Sequence, residues 1–138
     1  VNDKLFAYPN GECLVTREYP DVNFVLDLIH SAKGVAVMAH PVMFNNTELL
    51  LELIEAGKLD GIEAYHHSAT PTQQQKLADI AKEHDLIVTG GSDFHGLYNE
   101  TMTHIGSMTT DKENLDKLFK LIHINSQKAN KAAVKTEK

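Results

Sequence analysis

The stretch Gly34-Val35-Ala36-Val37-Met38-Ala39-His40-Pro41 decides the fold, because it is apolar without alternation and ends at an imidazole and a proline. A strand apolar on both faces belongs in a parallel sheet covered by helices on either side. Gly61-Ile62-Glu63-Ala64-Tyr65 and Leu86-Ile87-Val88-Thr89-Gly90 have the same character. Val35 to Gly61 is 26 residues, and Gly61 to Ile87 is again 26. That spacing predicts consecutive βα units and an α/β fold.

Helix signals fill the intervals. Pro20 is placed in a first helical turn ahead of Val22, Val25, Leu26 and Ile29, with Gly34 as the stop. Asn45 or Asn46 can cap a helix over Leu49 to Ala56, which Gly57 ends. Thr70-Pro71-Thr72-Gln73 has capping-box spacing, and Thr110-Asp111-Lys112-Glu113 has it again before Leu115, Leu118, Phe119 and Ile122. Four helices and three strands result, with a weaker fourth strand over Ile105 to Thr109. Residues 1–16 read as a loop or connector, residues 17–125 as the folded part, and residues 126–138 as a polar, basic, flexible tail. No strand precedes Val35, so the sheet would begin at an open edge, which points to missing upstream chain or to a partner.

The 138 residues suffice for one core but amount to about half of the roughly 250 that a closed βα barrel needs. Hydrophobic residues at 42% and charged residues at 23% remove the compositional case for disorder or a collagen-like chain. No apolar run approaches a membrane span, and no export signal opens the chain. Cys13 stands alone, so no internal disulfide can form, thiolate metal sites are excluded, and a cytoplasmic location is expected. The net charge of -6 combines an acidic body with a basic C-terminal tail, which argues against stable binding to duplex DNA. An enzyme whose metal ions supply positive charge remains compatible with it.

In parallel sheets, ligands gather at the carboxyl ends of the strands. Those positions hold His40, then His66 and His67, then Asp93 and His95. In an extended backbone, Asp93 and His95 would share one face, with Phe94 turned away and Gly90, Gly91 and Gly96 leaving room for a ligand. Of the His66 and His67 pair, one is expected to face the site and the other solvent. Glu63 sits mid-strand, where an unpaired carboxylate is expensive, so it needs a partner: a metal-bound imidazole, a backbone amide or a lysine. Arg17 is the only arginine; it either clamps a phosphate or pairs with a surface carboxylate such as Glu18. His30, His84 and His123 read as structural residues near helix ends or on helix faces, and His104 stays undecided. Imidazole with carboxylate suits divalent zinc, manganese or iron. Three ligands are too few for two or three ions, so the inventory is incomplete, like the barrel.

The segments Val35 to Pro41, Leu59 to His66 and Val88 to Gly96, with Arg17-Glu18-Tyr19 ahead of the first helix, resemble the polymerase and histidinol phosphatase (PHP) superfamily. Within it they look most like bacterial phosphoesterases acting on nucleotides and short oligonucleotides. The resemblance implies part of a distorted seven-stranded βα barrel holding two or three divalent metal ions (Mn, Zn or Fe). His40, Asp93 and His95 would be metal ligands, Arg17 and His66 would meet the substrate phosphate, and Glu63 and His67 would lie behind the ligands. Hydrolysis by a metal-bound hydroxide would follow. The family's opening histidine-x-histidine motif is absent, so the chain looks like the C-terminal half of such an enzyme, inactive alone and completed by the missing N-terminal half. Two alternatives are a non-catalytic α/β scaffold or regulatory module that associates through the open edge, and a half-barrel that pairs with a second copy.

Overall fold

The structure, a computed structural model, describes residues 2–6, 10–15, 17–96 and 103–136. Five helices and three strands follow in the order α1 (Asn2–Leu5), α2 (Val22–Ser31), β1 (Val37–Met38), α3 (Thr47–Glu55), β2 (Gly61–Tyr65), α4 (Pro71–Glu83), β3 (Ile87–Gly90) and α5 (Lys112–Thr136). The strands form one parallel sheet in the order β1-β2-β3, so the expected βα succession and α/β class are observed. Val37 is in register with Gly61, and Gly61 with Ile87. The registered positions are 24 and 26 residues apart, close to the regular spacing of the apolar segments.

Each helix enters the following strand by the same device. After α2, Lys33 and Gly34 return their N–H groups to the carbonyls of His30 and Ile29. After α3, Gly57 and Lys58 do so to Ile54 and Leu53, and after α4, Asp85 and Leu86 do so to Lys82 and Ala81. This paired closure needs a left-handed residue just past the helix, and Lys33 (φ 63), Gly57 (φ 65) and Asp85 (φ 54) take that conformation. Gly57 was expected there. At the end of α2, however, Lys33 adopts the strained backbone, and Gly34 follows it.

The N-termini also differ from the sequence reading in detail. Asp21, rather than Pro20, begins α2, accepting from the Asn23 and Phe24 amides. Asn46 stands at the start of α3 without a side-chain cap bond. Thr70 and Gln73 form the capping box expected for α4. Ahead of α5 the roles shift by one residue: Asp111 accepts from the Asn114 amide, while the Thr110 hydroxyl accepts from Gly90 N–H. The fourth strand reduces to a single antiparallel bridge between Gly91 and Thr109. Two boundaries move as well: one helical turn, α1, lies inside the segment read as a connector, and α5 runs through most of the segment read as a flexible tail.

The core lies between the sheet and its helices. Ile62 and Ala64 of β2 and Leu50 of α3 are completely buried, and Leu26 of α2 and Leu77 and Ala81 of α4 pack into the same cluster. Leu26 and Leu50 illustrate the helical rule that one apolar stripe faces the sheet. Ile62 and Ala64 seal one face of the middle strand, whereas Glu63 and Tyr65 on the other are only partly buried.

Candidate metal centre at the strand ends

β1, β2 and β3 end within a few residues of His40, His66 and Asp93, and the parallel order brings these ends to one side of the sheet. His66 is the centre of the group, with only 1% of its surface exposed. Its Nε2 lies 3.5 Å from Asp93 Oδ2. The His66 ring is 4.2 Å from that of His67 and 5.0 Å from that of His40, whose other side meets Phe44 at 5.8 Å. One donor atom each from His66, His67 and Asp93 falls within 4.8 Å of the others.

Two polar atoms here are buried without a hydrogen-bond partner among the described residues: Nδ1 of His40 and Nε2 of His66. Sealed nitrogens of this kind are rare unless something else satisfies them. The donor set of two imidazoles and one carboxylate within 4.8 Å is the type that divalent zinc, manganese or iron accepts. On chemistry and on unsatisfied donors alike, the residues fit a metal ion.

Burial pushes the His66 pKa down, the neighbouring His67 and His40 push it further, and Glu63 and Asp93 only partly oppose them. His66 is therefore held as a neutral imidazole at neutral pH, the form that binds a metal. Its other nitrogen is also engaged. Nδ1 lies 2.8 Å from Ser68 Oγ and accepts from the Ser68 amide at 3.2 Å. Accepting from that amide places the neutral ring's proton on Nε2, so a metal ion at Nε2 would require the proton to move to Nδ1, where the rotatable Ser68 hydroxyl can accept it. Ser68 was missed in the sequence reading; the available signal was a hydroxyl two residues after a strand-end histidine.

The expected ligands are only partly gathered as anticipated. The premise of an extended Asp93-Phe94-His95 does not hold, since Asp93 has φ 47. That turn brings the Asp93 carboxylate to His66 and leaves His95 outward, with 64% of its side chain exposed. His95 Nδ1 donates to the Asp93 carbonyl at 2.6 Å and lies 3.6 Å from Asp93 Oδ1. His66 and His67 both join the cluster, where only one had been expected to face the site. Glu63 takes the backbone option: its Oε2 accepts from the His40 amide at 2.9 Å. Arg17 is exposed, and no bond or ion pair connects it to the cluster or to Glu18 among the described residues. His30 lies at the other end of the sheet, 3.1 Å from Asp60 Oδ2, an oxygen that also accepts from the Ala36 amide.

The imidazole and carboxylate cluster at the ends of this parallel α/β sheet is a donor set for a divalent metal ion, and comparison with known proteins finds phosphoesterases among similar chains. The chain is 34% identical over 96 residues to a phosphoribosyl 1,2-cyclic phosphate 1,2-diphosphodiesterase of Eggerthella lenta, covering 70% of this chain and 36% of that protein. It is 39% identical to a 5'-3' exoribonuclease of Haemophilus influenzae, covering 67% of this chain and 35% of the relative. Among solved structures, one described as a metal-dependent phosphoesterase from Bifidobacterium adolescentis matches 83% of this chain and 41% of its own, with 30% identity and a TM-score of 0.68. The chain thus spans about a third of the length of the curated relatives it matches. No family model matches. The resemblance to the PHP phosphoesterases, read from three strand-end motifs, is borne out by these relatives.

Proposed function

We propose that this chain supplies the strand-end half of the metal centre of a phosphoesterase that hydrolyses phosphate esters of nucleotides or short oligonucleotides. The observation that carries the reading is the buried, unpartnered His66 Nε2, 3.5 Å from Asp93 Oδ2. His66, His67 and Asp93 would hold a manganese, zinc or iron ion, with His40 and His95 as the adjoining imidazoles. When bound, such an ion neutralises phosphoryl oxygens and lowers the pKa of a water molecule. The chain's own residues do the rest. His66 stays unprotonated through its burial, and Asp93 contributes the negative charge that favours a cation. Arg17 is the group proposed to pair with the phosphate, as the only guanidinium in the sequence.

The exoribonuclease name of one relative supports an RNA substrate, and the phosphoribosyl cyclic phosphate named for another shares with it a phosphate ester on ribose. A divided ligand sphere predicts that the 138-residue chain alone releases little phosphate with Mn²⁺ added; robust turnover would sink that division. Metal binding tests the centre directly. Calorimetric titration with Mn²⁺ is expected to weaken at least tenfold in His66→Ala and Asp93→Ala with the circular dichroism spectrum retained, whereas unchanged binding overturns the proposal. In a protein carrying a complete barrel, Asp93→Ala should remove hydrolysis. Unchanged hydrolysis with altered association is what the scaffold alternative requires.

A further inference from the structure

We infer that Glu63 is a positioning residue: from the middle strand, its carboxylate braces the loops after β1 and β3 and holds His40 beside the metal centre without itself binding the ion. The inference rests on the metal-centre reading above and concerns a residue that reading leaves unused. One oxygen, Oε2, accepts from the His40 amide at 2.9 Å. The other, Oε1, lies against Gly91 of the β3 loop, where a Cβ built on that glycine would be 2.9 Å away. Oε2 is thereby bonded to the loop after β1, while Oε1 occupies the space beside Gly91 of the loop after β3.

His40 needs such a restraint. Its φ of 28 lies in the left-handed region, which a residue with a branching ring enters only at a cost. The same turn sets the imidazole 5.0 Å from His66, with Nδ1 buried and unpartnered. An amide bonded to a carboxylate is a strong, charge-assisted contact and is suited to holding an unfavourable backbone in place. Gly91 complements the arrangement from β3. Any side chain there would press on the carboxylate, so the glycine makes room for Glu63.

The test separates positioning from ligation and from a failure of the metal site itself. In the 138-residue chain, Glu63→Gln keeps a carbonyl oxygen that can accept from the His40 amide, while Glu63→Ala removes the acceptor. Mn²⁺ affinity measured by calorimetry is expected to fall about tenfold or more in Glu63→Ala and to stay within about threefold of the parent in Glu63→Gln. The His40 amide proton, observed by NMR without metal, should lose its downfield shift in Glu63→Ala and keep most of it in Glu63→Gln. If Gln weakens Mn²⁺ as much as Ala does, Glu63 is a ligand and the positioning role is overturned. If Ala leaves affinity unchanged, the brace is irrelevant to metal binding and the inference falls while the centre stands. If the parent chain binds no Mn²⁺, both fall together. Should Glu63→Ala fail to fold, the Gln variant and the His40 amide shift decide alone.

Discussion

His66 carries its imidazole into a place where a proton is disfavoured, by burial first and by the neighbouring His67 and His40 next. Its pKa is therefore lower in the folded chain than the roughly 6.5 of an exposed imidazole. The unfolded chain takes up this proton at a higher pH than the folded chain does. Stability from neutral His66 is thus present above about pH 6.5 and is lost as pH falls through the lower, folded value. Thermal melts of the metal-free chain should show a steeper loss of Tm between pH 7.5 and 5.5 than melts of His66→Gln, which has nothing to titrate. Parallel pH curves for the two would remove the burial argument. The same residue shows what could be read in advance. Its place after a strand was legible from Ala64-Tyr65-His66, but its capture by Asp93 was not, because it depends on a left-handed turn at Asp93 that residue type does not announce.

Helix endings show the same division between pattern and geometry. Strand positions followed from the apolar segments and their near-equal spacing, which puts Val37, Gly61 and Ile87 in one register at intervals of 24 and 26 residues. The closures between helix and strand were only partly legible: Gly57 signals its own left-handed turn, whereas Lys33 occupies the equivalent place with no such signal. Lys33 is exposed and its side chain is not required for the turn, so Lys33→Gly relieves the strain of its Cβ. Chemical denaturation should show a gain of about 1 kcal/mol, and no gain would mean that the turn is relaxed as it stands. Capping boxes were legible where the hydroxyl and amide could reach each other, as at Thr70 and Gln73. The reading failed at Thr110, because Gly90 of the neighbouring strand competes for its hydroxyl, and a long-range partner is invisible to local spacing.

At the scale of the whole molecule, β1 has β2 as its only neighbour in the sheet among the described residues and leaves a row of backbone groups along its outer side. Such an edge recruits another strand. Light scattering should show mass rising with concentration, and Val37→Lys, which places a charge on that edge strand, should reduce the rise. Equal association in both would locate the contact elsewhere. Among the described residues, no helix is long and apolar enough to cross a membrane.

Helix α5 has a consequence of its own. Its 25 residues rise roughly 37 Å, whereas the longest strand, of five residues, covers about 17 Å. The rod therefore outruns the layer on which it rests, and only its first half can borrow stability from the sheet. A lone helical stretch of a dozen residues is marginal in water. Hydrogen–deuterium exchange should accordingly run as a gradient along the rod, slow near Leu118 and fast beyond Ser126, so that the helix melts from its far tip while the sheet stays intact.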